Sequence, residues 1–140
     1  MKKILTLLAV TIACSINAQV QYVQTNNTGS TSASAIGYYT IASGDGTLAT
    51  GRDSKAIGDW STAMGYKSEA NDNNSIAMGN RSKANGYTSI AMGYEAIANG
   101  DYSSAMGQYS VADGKSSTAM GYGSIASDYS SLVIGYFNLN

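Results

Sequence analysis

The sequence contains no histidine and a single cysteine, and these two absences remove much of the usual catalytic chemistry. Histidine is the commonest general base and metal ligand in proteins. The one cysteine is Cys14, so residues 19–140 hold no thiol for catalysis or for a disulfide. The acidic residues are single and dispersed, which gives no support to a carboxylate pair that would hydrolyse glycosides. We therefore expect a protein that is not an enzyme and that uses no cofactor and no metal.

Charged residues are scarce as well, with eight Lys and Arg against nine Asp and Glu. They do not cluster, whereas a nucleic-acid footprint needs Lys and Arg gathered on one surface. The apolar residues include many alanines but only one Trp and one Phe. The composition argues against a nucleic-acid partner and against a conventional globular core.

The N-terminus has the order of a secretory signal peptide. Lys2 and Lys3 precede an apolar run at 4–13, and the segment 16–18, which ends in the small residue Ala18, offers a cleavage site. That run is too short to span a bilayer, and residues 19–140 contain no other candidate transmembrane helix. We expect residues 1–18 to be a signal peptide and the product to be secreted or held at the cell surface. Lipidation of Cys14 is the alternative, and a buried N-terminal segment is a second one.

Glycines recur at one spacing through most of the chain. One row repeats every fourteen residues, at Gly37, Gly51, Gly65, Gly79, Gly93, Gly107, Gly121 and Gly135. Midway between them lie Gly44, Gly58, Gly86, Gly100 and Gly114, with Asp72 and Asp128 in the two remaining places. An alanine stands two residues before every one of these positions except the last, where Val133 replaces it. Such a short fixed period predicts stacked copies of one unit, each contacting its neighbours.

The units are predicted to be strands rather than helices. Glycine inside a helix costs about 1 kcal/mol relative to alanine, and no heptad seam of Leu or Ile is present. The segments 75–79 and 89–93 instead alternate larger and small residues, as strands with two different faces do. Asn, Asp and Gly at the junctions are expected to supply positive-φ turns. We predict an all-β parallel solenoid of 14-residue coils, two short strands per coil, over residues 33–136. Residues 19–32 form a polar segment or an irregular first coil, and residues 137–140 a C-terminal cap.

If alanines fill the lumen, the larger apolar residues of the first strand point outward. This stripe predicts an oligomer interface, because large exposed apolar patches normally mark one. Its residues are Ile36, Met64, Ile76, Met78, Ile90, Met92, Met106, Met120 and Ile134. The second strand carries mostly polar outer residues and is expected to face water. The alternative places the methionines inside and the alanines outside, in a wider monomeric roll.

Tyrosines recur every second coil, at Tyr38, Tyr66, Tyr94 and Tyr122. Arg52 lies between the first two and is placed for a cation–π contact. Trp60 and Tyr102 share another column. These residues predict a surface for a protein or glycan ligand, with simple turn packing as the alternative.

The repeated motifs resemble those of a known family. Ser-Ile-Ala-Met-Gly at 75–79 and 89–93, Ser-Thr-Ala-Met-Gly at 61–65 and the interposed Ser-Lys-Ala-Asn-Gly at 82–86 look like the head repeats of YadA-type trimeric autotransporter adhesins. The resemblance implies a left-handed parallel β-roll, a homotrimer and an adhesive role at the bacterial outer membrane, toward extracellular matrix, host or other cells. No segment resembles the stalk or membrane anchor of those adhesins, and we expect a secreted protein that is a head alone, a lipoprotein or a truncated reading frame. The alternatives are a monomeric solenoid that binds glycan or ice through one regular face and a module like those of phage tail fibres.

Overall fold

The structure is a computed structural model that describes residues 26–27 and 32–137. The expected signal peptide and Cys14 lie outside these residues, as do most of the expected N-terminal segment and residues 138–140 of the expected cap. The described chain consists of strands and turns. It contains no helix that is long and apolar enough to cross a membrane.

The strands form two parallel sheets of eight strands each. The first sheet contains the longer strands β2 (Ser34–Tyr38), β4 (Leu48–Arg52), β6 (Thr62–Tyr66), β8 (Ile76–Asn80), β10 (Ile90–Tyr94), β12 (Ser104–Met106), β14 (Thr118–Tyr122) and β16 (Leu132–Tyr136). The second sheet contains the two-residue strands β1 (Asn26–Asn27), β3 (Ile41–Ala42), β5 (Lys55–Ala56), β7 (Glu69–Ala70), β9 (Lys83–Ala84), β11 (Ile97–Ala98), β13 (Val111–Ala112) and β15 (Ile125–Ala126). The chain alternates between the sheets, so one coil holds one strand of each.

Every coil is in register with the next. Ala77 pairs with Ala91 and Met78 with Met92, each fourteen residues along the chain. Adjacent strands are about 4.8 Å apart, so the seven coils from β2 to β16 form a rod about 35 Å long. This arrangement confirms the predicted parallel solenoid with two short strands per coil.

The core between the two sheets is built from alanine and serine. Ala77, Ala84 and Ala91 are fully buried, as are Ser75 and Ser82. The methionines lie on the opposite side of the first sheet, where Met92 and Met120 are exposed. The expectation that alanines face inward is therefore confirmed, and the wider roll with methionines inside is wrong.

The glycine spacing reflects how closely the coils approach each other. A Cβ atom on Gly79 would lie only 2.1 Å from the carbonyl oxygen of Gly93 in the next coil. A Cβ atom on Gly86 would lie 2.2 Å from the carbonyl oxygen of Gly100. Both distances are far below van der Waals contact, so a side chain at these positions would push neighbouring coils apart.

The corners differ from the sequence-based expectation. Most residues with φ near +55° are neither Gly, Asn nor Asp, and they include Tyr39, Trp60, Lys67, Arg81, Thr88 and Glu95. Gly86, by contrast, does not adopt a positive φ. The corner conformation aims the backbone N–H at the preceding coil: the Thr88 N–H donates to the Asn73 carbonyl oxygen at 2.9 Å. These hydrogen bonds between coils offset the strain of a left-handed conformation, about 1 kcal/mol or more per residue.

Candidate functional site: the outer surface of the roll

The outer face of the first sheet carries an apolar stripe, which Thr50 interrupts between Ile36 and Met64. Strand register aligns Met78, Met92, Met106 and Met120 in one column and places Ile76 beside Ile90 in the next. The methionine stripe, as we call this set, comprises Ile36, Met64, Ile76, Met78, Ile90, Met92, Met106, Met120 and Ile134. Its ends are the most exposed, with Ile36 at 51% and Ile134 at 58% of full exposure. The structure thus brings all the predicted interface residues onto one face.

The outer face of the second sheet carries a hydrogen-bonded row of side chains. The Asn71 amide donates to Asn85 at 2.7 Å, Asn85 donates to Asn99 at 2.7 Å, and Asn99 donates to Asp113 at 2.6 Å. We call these four residues the amide ladder. Their fourteen-residue spacing is visible in the sequence, yet we predicted only a face that contacts water.

The rest of that face is only partly polar. Its centre holds an ionic group in which Glu69 forms salt bridges with Lys55 at 3.5 Å and with Lys83 at 3.2 Å. In the same column, half-buried apolar residues lie to either side of this group, at Ile41, Ile97, Val111 and Ile125. The predicted division into one apolar and one polar face is therefore incomplete.

One corner of the roll holds the predicted tyrosine column. The Arg52 guanidinium lies 5.4 Å from the Tyr38 ring centre and 5.8 Å from that of Tyr66, so the expected cation–π arrangement is present. Tyr39 packs edge-on against Tyr38 at 4.1 Å. Its hydrogen bond raises the pKa of Tyr38 above the ordinary value. Both rings are exposed, so this end of the corner is open to a ligand.

The other end of this corner is more aromatic than the sequence analysis indicated. Tyr109 lies between Tyr94 and Tyr122, at 5.4 Å and 5.7 Å. Tyr122 then stacks on Tyr136 at 5.0 Å and meets Phe137 edge-on at 5.0 Å. Tyr109 was missed because it lies one position beyond the column that was followed. Tyr136 lies in that column, one coil after Tyr122, and was missed because only every second coil was considered.

An ion pair separates the two ends of the corner. Arg81 donates to Glu95 at 2.9 Å, and this hydrogen bond raises the pKa of Arg81. The negative charge of Glu95 also raises the pKa of Tyr94. Both residues of the pair remain partly exposed, so salt screens their attraction.

Trp60 and Tyr102 occupy equivalent positions but do not form one surface, because three coils separate them. The Trp60 indole lies over Gly46 and is 61% exposed. Tyr102 instead pairs edge-on with Tyr87 at 5.5 Å, and the Lys115 ammonium lies 5.8 Å from its ring centre. The second corner therefore has two separate aromatic sites.

Comparison with protein families identifies the repeat. The family described as the YadA head domain repeat, in two copies, matches residues 29–54, 56–82, 84–110 and 112–138. The chain belongs to the YadA head-domain repeat family. No curated protein and no solved structure matches it.

Each match to the YadA head repeat spans two coils of the roll. Tyr38, Tyr66, Tyr94 and Tyr122 recur at the same two-coil interval. The repeated alanines fill the core between the two sheets, and the repeated glycines lie where neighbouring coils approach most closely. Residues that vary between coils lie on the outer surface.

Within residues 26–27 and 32–137, no three acidic, cysteine or histidine side chains lie close enough together to hold a metal ion. A YadA head repeat on a β-solenoid is typical of non-enzymatic, surface-exposed adhesins, and trimers are typical of this family.

Proposed function

We propose that this chain is a non-enzymatic adhesive head, exported to the bacterial cell surface and assembled there as a homotrimer. The observation that carries the proposal is the methionine stripe, in a chain of the YadA head-repeat family. The family supports an adhesin-type module. The trimer, the export and the ligand surface are parts of our proposal.

The methionine stripe supports assembly because it presents apolar side chains on seven of the eight strands of the first sheet. Met92, Met120, Ile36 and Ile134 are all exposed in the single chain. A contiguous exposed patch of this kind marks an interaction site in most soluble proteins. A partner copy would remove it from water, and closed cyclic symmetry would limit the assembly to a defined number of chains.

The tyrosine column and its neighbours support ligand contact. Tyrosine, tryptophan and arginine are enriched at protein recognition surfaces, because they combine a large apolar area with hydrogen-bonding groups. This chain presents such side chains at its two corners, exposed at Tyr38, Arg52, Trp60, Tyr94 and Tyr102 and half-buried at Tyr66 and Tyr122. We infer an extracellular protein or glycan as the partner.

Adhesion is tested by immobilising the purified chain and measuring the attachment of cultured cells and of a panel of extracellular-matrix proteins. We expect saturable binding that falls in Arg52→Ala and Tyr66→Ala. Tyr129→Ala is the matched control, because Tyr129 is 73% exposed but lies outside the tyrosine column. Failure of the assembled wild-type chain to bind any cell or matrix protein would contradict the adhesive role.

A further inference from the structure

The amide ladder lies on the outer face of the second sheet, away from the methionine stripe. Asn85, Asn99 and Asp113 are all exposed in the single chain. Assembly through the first sheet would leave this surface open to solvent. It is the longest row of hydrogen bonds between side chains on the described part of the roll.

The donor-to-acceptor direction of the hydrogen bonds along the ladder follows from the chemistry of its last member, Asp113. An ionised Asp113 carboxylate only accepts hydrogen bonds, so Asn99 must turn its amide nitrogen toward it. The Asn99 oxygen then faces Asn85 and accepts from it. Each central amide uses one N–H and one oxygen lone pair within the ladder. One N–H and one lone pair per residue remain for a ligand.

Aromatic rings lie next to this row in the chain. Tyr87 follows Asn85 by two residues, and Tyr102 follows Asn99 by three. Their rings meet edge-on at 5.5 Å and are 40% and 51% exposed. The same coils therefore offer hydrogen-bonding groups and exposed apolar ring surface.

We propose that the surface formed by Asn85, Asn99, Asp113, Tyr87 and Tyr102 binds a neutral oligosaccharide that runs along the axis of the roll. A pyranose has a rim of hydroxyl groups, which need paired donors and acceptors, and an apolar C–H face, which stacks on aromatic rings. The ladder repeats about every 4.8 Å, close to the length of one sugar unit in an extended chain.

Two further features favour a neutral sugar held in a fixed orientation. The ladder already holds its side chains in one conformation, so little rotamer entropy is lost on binding. Asp113 within the site and Asp101 in the neighbouring corner are both exposed, with Lys115 as the nearby cation. Net negative charge disfavours an anionic glycan. This inference rests on the proposed adhesive function and names the ligand class of the head.

The test uses the exported wild-type chain on a printed array of neutral, N-acetylated and sialylated oligosaccharides, followed by titration of the best binder. Asn99→Ala interrupts the ladder, and Tyr102→Asn removes the ring while keeping a residue type that tolerates the φ of +57° at this corner. We expect saturable binding of neutral oligosaccharides, weakened about tenfold or more in each variant.

Asn80→Ala and Tyr129→Ala are matched controls outside the site and should bind as the wild type does. Thermal unfolding establishes that each variant is folded, and Tyr87→Ala provides a second ring deletion at a position without positive φ.

The outcomes separate this inference from the proposed function. Failure of the wild-type chain to bind any neutral oligosaccharide, or unchanged binding in folded Asn99→Ala and Tyr102→Asn, would overturn the sugar site. If such a chain still attaches to cells, the adhesive function stands without it. Sugar binding that depends on Asn99 and Tyr102, in a chain that attaches to no cell or matrix protein, would support the site and contradict the adhesive role.

Discussion

At the scale of single residues, buried serines in one column of the core have two different environments. The Ser54 hydroxyl lies 3.0 Å from the Thr50 carbonyl oxygen and 2.8 Å from that of Gly65. The Ser82 hydroxyl occupies the same position two coils later, is equally buried, and has no hydrogen-bond partner among the described residues. An unpaired buried hydroxyl costs free energy, whereas a paired one is stabilising.

The two serines give a matched pair of substitutions. Ser54→Ala should lower the free energy of unfolding by about 1 kcal/mol because it removes a buried hydrogen bond. Ser82→Ala should leave the free energy of unfolding unchanged or raise it, because it removes a buried hydroxyl that makes no hydrogen bond. Urea unfolding of both variants checks the difference. Equal losses would mean that the Ser82 hydroxyl is also paired in solution.

Corner residues give a second pair at this scale. Thr88 has φ of +54° although it is β-branched, whereas Asn74 holds the equivalent position one coil earlier at +58°. Thr88→Asn should stabilise the roll by about 0.5–1 kcal/mol, since asparagine tolerates this conformation better. Asn74→Thr should cost a similar amount. Melting temperatures that shift in the same direction for both variants would show that backbone strain does not govern this corner.

At the scale of the structural element, the close backbone approach of neighbouring coils restricts which residues can stand at the glycine positions. Gly79 combines φ of +127° with an approach that would put a Cβ atom 2.1 Å from the Gly93 carbonyl oxygen. Gly46 also has a positive φ, but its Cβ atom would meet the Trp60 side chain, which has room to move. The two glycines therefore differ both in φ, +127° against +61°, and in whether a Cβ atom would meet backbone or a movable side chain.

Gly79→Ala should therefore disrupt the stack, with a loss of about 4 kcal/mol or more in the free energy of unfolding. Gly46→Ala should cost only about 1 kcal/mol, because it introduces corner strain without a backbone collision. Circular dichroism through a thermal scan distinguishes them. A cooperative, near-wild-type melt for Gly79→Ala would be incompatible with the coil spacing described here.

The element scale is also where prediction from the sequence was most complete. The spacing of Gly79, Gly86 and Ala77 was enough to predict the two strands of a coil and the inward direction of the alanines. The corners were not predictable in the same way. A repeat identifies equivalent positions, but the φ of Thr88 follows from the hydrogen bond that its N–H makes to the preceding coil. The amide ladder was visible as spacing, yet its hydrogen bonding depends on side-chain directions that composition does not specify.

At the scale of the whole molecule, the roll presents different surfaces on its two sheets. The first sheet offers an apolar stripe, and the second offers an amide ladder with an ionic centre. The sequence was enough to predict that the stripe lies on the outer face of the first sheet, because the alternation of side-chain direction along a strand is a local property. What covers the stripe does not follow from alternation within one strand, so the trimer remains a prediction.

Met92→Asp tests the role of the stripe in assembly. Met92 is exposed in the single chain, so the substitution should leave the fold intact while it buries an unpaired carboxylate in any interface. We expect dissociation to monomers. Asn99→Asp adds the same group to the second sheet of the same coil and should leave the assembly intact. A Met92→Asp chain that keeps the wild-type mass would exclude the stripe as the interface.

The most direct test of the account is the solution mass of residues 19–140, measured by light scattering over a series of concentrations. We predict a species with three times the mass of one chain, persisting on dilution, as expected for a trimeric head that buries the methionine stripe. A mass of one chain at every concentration would contradict the proposed assembly and leave the stripe exposed to solvent.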